Sequence, residues 1–218
     1  MTRAVTFDAF AAVVAERGRH GRSLTAIAGA PGAGKSLMAE RLAGHLNAAA
    51  PESAAVLPMD GYHLDDGILI ARGLRARKGA PETFDVAGLR HMLARVKENA
   101  EDEILVPVFD RDLEIARAAA RAIGRGVRHI IVEGNYLLLD REPWRDLRPL
   151  FDITVMLVVP EATLRARLLA RWQGYGLSDD EIEAKLEGND LPNGRLVAAA
   201  SAPADFSLAT DDGGGARP

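Results

Sequence analysis

Residues 29–36 read Gly29-Ala30-Pro31-Gly32-Ala33-Gly34-Lys35-Ser36, which is the phosphate-cradling spacing G-x-x-x-x-G-K-[ST]. Chemistry of this kind needs backbone N–H groups turned inward around a polyphosphate, where side chains would block the approach. Glycines at 29, 32 and 34 permit that path. Lys35 has the reach and charge for β- and γ-phosphate oxygens, and the Ser36 hydroxyl suits Mg²⁺. Leu37 continues the turn into a helix whose positive N-terminal end faces the anion. Residues 29–37 are therefore the expected nucleotide site.

Other candidates follow short apolar runs. Asp60-Gly61-Tyr62-His63 comes directly after one, and Asp60 there is the candidate general base that takes a proton from an acceptor hydroxyl. The competing reading is a helix cap. Glu133-Gly134-Asn135-Tyr136 follows another run, and Glu133 is expected to hold Mg²⁺ directly or through water. A cap or buried ion pair is the alternative for Glu133. Asp110 and Arg111 end a third run, where they either bind a polar substrate or form a surface ion pair. Arg167 and Arg171 are four apart, on one helix face beside Leu164, Leu168 and Trp172. They suggest a lid closing over phosphates; the bland reading is a solvated face. Residues 72–85 read as a loop beside the acceptor pocket, with Arg72, Arg75, Arg77 and Lys78 turned to an anion or to water.

The positioning elements are legible as alternation. Apolar runs at 24–28, 55–59, 104–108, 129–132, 153–159 and, weakly, 205–209 predict strands. Helical spacing predicts helices over 36–47, 86–99, 113–123, 161–172, 179–187 and 194–200. The fold class is α/β, a parallel sheet of about five strands with helices on both faces and a helical lid. Ligands on such sheets sit beyond the strands' carboxyl ends.

The chain has 218 residues, 48 % hydrophobic and 27 % charged, which fits one globular domain over 1–209. A helix within 1–22 is expected to pack on it, and 210–218 is expected to be a disordered tail. The net charge of −4 and the lack of a basic run argue against nucleic acid as partner. With no cysteine, disulfides and thiol chemistry are excluded. No run approaches the ~20 apolar residues of a membrane span. A cytoplasmic location is the expectation.

Five features together resemble the phosphoribulokinase, uridine kinase and bacterial pantothenate kinase family of P-loop kinases. They are the loop at 29–36, Asp60-Gly61-Tyr62-His63, Pro81-Glu82-Thr83-Phe84-Asp85, Pro107-Val108-Phe109-Asp110, and Glu133-Gly134 with the arginine lid. The resemblance covers most of 24–190. It implies the three-layer P-loop NTPase fold and transfer of the γ-phosphate of ATP·Mg²⁺ to a hydroxyl of a small metabolite. Asp60 would be the base, with Lys35, Arg167 and Arg171 on the transferring group. Tyr62, His63, Phe84, Asp110, Arg111, Glu133, Asn135 and Tyr136 would join Asp60 around the acceptor. The chain departs from uridine kinases in two places: they have Asp-Ser-Phe-Tyr at 60–63 and an arginine at Leu168. The chain looks most like a bacterial branch labelled fructose transport system kinase, which Gly188-Asn189-Asp190-Leu191-Pro192-Asn193 also resembles. Asn189 and Asn193 belong either near the adenine or in a turn. A sugar is the leading acceptor, with a nucleoside or pantothenate-like alcohol next. A regulatory or hydrolytic ATP-binding protein is the alternative of another class.

Overall fold

The computed structural model describes residues 2–210. Its strands are β1 (Arg3–Ala4), β2 (Ser23–Gly29), β3 (Ala54–Pro58), β4 (Glu103–Asp110), β5 (Ile115–Gly124), β6 (His129–Gly134), β7 (Ile153–Val158) and β8 (Phe206–Ala209). The helices are α1 (Phe7–Arg17), α2 (Lys35–Ala49), α3 (Asp66–Ala71), α4 (Val86–Glu98), α5 (Glu161–Gly174), α6 (Asp179–Lys185) and α7 (Leu191–Ala200). Six strands form one sheet in the order β1-β8-β7-β2-β6-β3, and every neighbouring pair is parallel. The tail expected at 210–218 lies, beyond Thr210, outside the described residues.

Alternate residues of the central strands point to opposite faces, so both faces must be covered. Leu24, Ala26, Ala28, Ile130 and Val132 bury against Leu89, Leu93 and Val96 of α4 and Val197 of α7. Ile27, Ile131, Val155 and Leu157 bury against Met38, Leu42 and Leu46 of α2 and Phe10 and Val14 of α1. The α1 helix begins where the Thr6 hydroxyl accepts a hydrogen bond from the Ala9 N–H, an ordinary N-cap. A third, smaller core joins Leu168 of α5, Ile182 of α6, Leu186 and Leu191, so the lid region carries its own packing.

Two expectations need correction. The sheet has six strands rather than about five, because Arg3–Ala4 pairs with Phe206–Ser207 in a strand too short to show as an apolar run. The segment 113–123 is not a helix. Most of it is β5, which forms an antiparallel hairpin with β4, and the run at 104–108 therefore belongs to this hairpin rather than to the main sheet. The alanines and arginines of β5 have high intrinsic helix propensity. Pairing with β4, whose Ile104 and Val106 are buried, overrides it. The register breaks between Val106 and Val108, and Ala119 adopts φ 53° on the opposite strand. Such a bulge bends the strand locally and increases its twist.

Candidate active site

Parallel pairing brings the reactive groups to one end. Glu133 stands in register with Ile27 of β2 and Pro58 of β3, so the glycine-rich loop, Asp60 and Glu133 all emerge side by side. The loop crosses into α2 through Gly34, whose φ of 86° is left-handed and cheap only for glycine. A cavity of about 770 Å³ opens there, between the loop, the β4–β5 hairpin, residues 75–79 and the α5–α7 region.

Lys35 is 9 % exposed, and its ammonium donates to the Ala30 carbonyl at 2.9 Å. Burial pushes the Lys35 pKa down, against the pull of the Glu133 and Asp60 carboxylates. The Ser36 hydroxyl donates to Glu133 Oε1 at 3.2 Å. Burial, reinforced by the nearby charge of Asp60, pushes the Glu133 carboxyl up, while Lys35 and the Ser36 hydrogen bond oppose it.

Asp60 Oδ2 accepts from Arg111 Nη2 at 2.7 Å. Burial raises the Asp60 carboxyl, but the positive charges of His63, Arg111, Lys35 and Arg171 outweigh it and hold it below the usual carboxylate value. Burial also pushes the His63 imidazole down, against the pull of the Asp60 carboxylate and its carbonyl hydrogen bond. The His63 ring lies 4.1 Å from Phe84 and 4.6 Å from Phe109, centroid to centroid, and Nδ1 bonds the Asp60 carbonyl oxygen at 2.8 Å. An ionised carboxylate, a buried ammonium and a hydroxyl–carboxylate pair thus face one cavity.

No family model matches the chain. A solved structure from Silicibacter sp. TM1040, provisionally named a fructose transport system kinase, is 44 % identical with a TM-score of 0.82, over 90 % of this chain and 97 % of that one. A Schizosaccharomyces pombe protein provisionally named a uridine kinase is 36 % identical over 180 residues, covering 79 % of this chain and 76 % of that protein. An ATP-dependent kinase-like protein of Aspergillus versicolor is 32 % identical over 169 residues, covering 71 % of this chain and 98 % of that protein. The chain belongs to the uridine kinase/YFH7-like group of P-loop kinases.

In this P-loop kinase the predicted residues divide. Pro31, Gly32, Gly34, Lys35, Ser36, Leu37, Asp60, His63, Phe84, Arg111, Glu133, Asn135 and Arg171 line the cavity. Gly29, Ala30 and Ala33 shape the loop from behind, where a Cβ on Gly29 would meet Ala33 and Leu157 at 3.2 Å.

Four candidates lie outside the wall. Tyr62 packs in the core against the α4 side, and burial raises its hydroxyl pKa. Tyr136 is fully buried, and its hydroxyl donates to the Gly79 carbonyl at 2.7 Å, which makes it a support for residues 75–79. Asp110 caps its own turn by accepting from the Asp112 and Leu113 N–H groups, and pairs with Arg117 at 3.3 Å. Arg167 turns behind the loop, donating to the Gly32 carbonyl at 3.4 Å and the Thr210 hydroxyl at 3.3 Å. The two arginines expected to act together are thus divided between the cavity and the back of the loop.

The cavity also holds residues that were left to solvent or not singled out. Arg75, Arg77 and Lys78 line it, as do Trp172, Lys185 and Asp190. The Trp172 indole N–H donates to Asp190 Oδ2 at 2.7 Å, and burial raises the Asp190 carboxyl. Asn189 donates to the Lys78 carbonyl at 2.9 Å, and Asn193 donates to Asn189 Oδ1 at 3.0 Å, so both brace residues 75–79 from helical positions on the cavity wall. Among the described residues no helix is long and apolar enough to cross a membrane.

Proposed function

We propose that the protein transfers the γ-phosphoryl group of ATP·Mg²⁺ to a hydroxyl of a small, sugar-derived metabolite. The observation that carries the reading is Asp60, an ionised carboxylate hydrogen-bonded by Arg111 and facing the cavity that Lys35, Ser36 and Glu133 also line. In the reaction the acceptor O–H bond breaks and its proton passes to Asp60. The freed oxygen bonds to the γ-phosphorus, and the bond from that phosphorus to the β-phosphate oxygen breaks, releasing ADP. Lys35 and Arg171 supply positive charge where the transferring oxygens gather it.

Ser36 and Glu133 suit Mg²⁺, since a hydroxyl and a buried carboxylate form a hard-oxygen pair. The burial that raises Glu133 marks a carboxylate short of positive charge, which a divalent cation would supply. Among the described residues no group of three acidic or histidine side chains could hold a metal alone. That fits an ion bound by one or two protein ligands together with substrate phosphates. Mg²⁺ held by Ser36 and Glu133 would neutralise negative charge on the transferring phosphate.

A sugar-derived acceptor is supported by the provisional name of the Silicibacter protein, 44 % identical to this chain. The test is ADP release by purified protein with ATP·Mg²⁺ across sugars, sugar acids, sugar phosphates, nucleosides and pantothenate-like alcohols. A saturable rise with one class is expected. A rate independent of every acceptor would support a hydrolytic ATPase instead.

A further inference from the structure

Residues 75–79 form an arm along the cavity, and three hydrogen bonds fix it. The Tyr136 hydroxyl donates to the Gly79 carbonyl at 2.7 Å, Asn189 to the Lys78 carbonyl at 2.9 Å, and Arg77 Nη1 to the Gly188 carbonyl at 2.7 Å. Lys78 then ties the arm to α3, donating to Asp66 Oδ1 at 2.7 Å, and to the hairpin turn, donating to the Glu114 carbonyl at 2.6 Å. Arg75 and Arg77 from the arm and Arg111 from the hairpin turn line the same cavity.

These guanidinium groups are underused. Each has five N–H donors in a planar fork. Arg75 spends one on Asp66 Oδ2 at 2.7 Å, Arg77 one on Gly188, and Arg111 one on Asp60. Asp66 holds Arg75 and Lys78 from behind the wall, and Glu82 stands 3.9 Å from Arg77, also outside it. A neutral polyol needs acceptors as well as donors. Of the lining amides, Asn189 and Asn193 are already bonded to each other and to the arm, which leaves Asn135; the other lining acceptors are the carboxylates Asp60, Glu114, Glu133 and Asp190, the last bonded by Trp172. Unfilled forks match the paired oxygens of a carboxylate or phosphate far better than isolated hydroxyls. Phe84, His63 and Phe109 stack on one another in the same cavity wall, and the Arg111 guanidinium lies 5.9 Å from the Phe109 ring centroid.

We infer that the acceptor carries an anionic group, a carboxylate or a phosphate ester, held by Arg75 and Arg77 while its hydroxyl lies at Asp60. The position of that hydroxyl rests on the kinase reading above. Sugar acids, sugar phosphates and other small hydroxy acids fall within the class, and free neutral sugars fall outside it.

The test is calorimetric titration of the full chain loaded with Mg²⁺ and a non-hydrolysable ATP analogue, so that the Lys35 side is filled. The probes are glycerate, glycerol 3-phosphate and their neutral twin, glycerol. At least one anion is expected to bind about tenfold tighter than glycerol, the scale of one charge-assisted contact. The better anion tells carboxylate from phosphate. Arg75→Gln and Arg77→Gln should each weaken that anion about tenfold and leave the nucleotide analogue within about twofold, with unchanged circular dichroism. Glycerol binding as well as both anions, or anion affinity unmoved by Arg75→Gln, overturns the inference. Anion binding that depends on Arg75, without acceptor-dependent ADP release, upholds the anion subsite and removes the kinase reading, and with it the hydroxyl at Asp60. Transfer to a neutral sugar with no gain from its acid or phosphate does the reverse.

Discussion

Arg111 donates to Asp60 across 2.7 Å, joining residues 51 positions apart in the chain. Asp60 follows the second apolar run and Arg111 lies in the hairpin turn just past the first strand, so the bond exists only because the hairpin folds over the sheet's carboxyl end. Arg111 therefore acts on the proposed base before any substrate arrives. Its charge is one of those holding Asp60 below the usual carboxylate value. Removing it lets the pKa rise, so the ionised base is lost at a higher pH. In Arg111→Met the acid limb of the kcat/KM profile should move up by about one pH unit, the equivalent of about 1.4 kcal/mol. The measurement is kcat/KM across the acid range for both proteins. An unmoved limb would separate Arg111 from the base.

Asp60→Asn keeps the shape and removes the proton acceptor. Turnover should fall by at least about 10²-fold, the usual scale of general-base loss. Nucleotide affinity, read by calorimetry, should stay the same. Turnover close to that of the parent would take the base role from Asp60.

Gly61 is buried where the hairpin crosses it. A Cβ there would stand 2.5 Å from the Pro107 carbonyl oxygen, which is backbone and cannot swing aside. Gly61→Ala should push Asp60 away from Arg111 and lower kcat/KM by about 10²-fold, the cost of a misplacement near 1 Å. Overpacking should also lower Tm, by about 2–4 °C for each kcal/mol at this chain length. A variant with parental rate and Tm would show that the hairpin yields freely.

Tyr136→Phe removes one buried hydroxyl and leaves the Gly79 carbonyl without its donor. The loss is about 1 kcal/mol, so acceptor KM should rise about fivefold as the arm loosens. The kcat value should hardly change, because Tyr136 lies outside the cavity wall. A drop in kcat at constant KM would instead place its hydroxyl in the chemistry.

Much of this arrangement was legible from local pattern. The glycine loop, the apolar strands and the carboxylates that follow them were all visible, because a parallel sheet buried on both faces writes its strands as apolar runs. The hairpin was not. From Ile115 to Arg121 β5 has almost no buried residue, so no alternation marks it, and its composition favours a helix. Helical spacing placed Arg167 and Arg171 on one face correctly but could not show that a neighbouring loop divides them. Tyr62 and Asp60 share one short turn, yet one enters the core and the other the cavity. Arg75 and Arg77 stayed open between an anion and water, because the cavity they line is closed by distant residues such as Gly188, which accepts from Arg77 across 111 positions.

The braces between the 75–79 arm and residues 188–189 have a further consequence. Residues 186–190 are packed through Leu186 into the small core shared with Leu168 of α5, the helix that also carries Arg171. The two halves of the cavity are therefore mechanically joined through Arg77–Gly188 and Asn189–Lys78. A shift of α5 on phosphate binding would reach the arm through these bonds, and a shift of the arm would reach α5 in turn. Heterotropic coupling of this kind is reciprocal: each substrate must alter the other's affinity by the same factor. The order in which the two are added then changes the path to the ternary complex but not its stability.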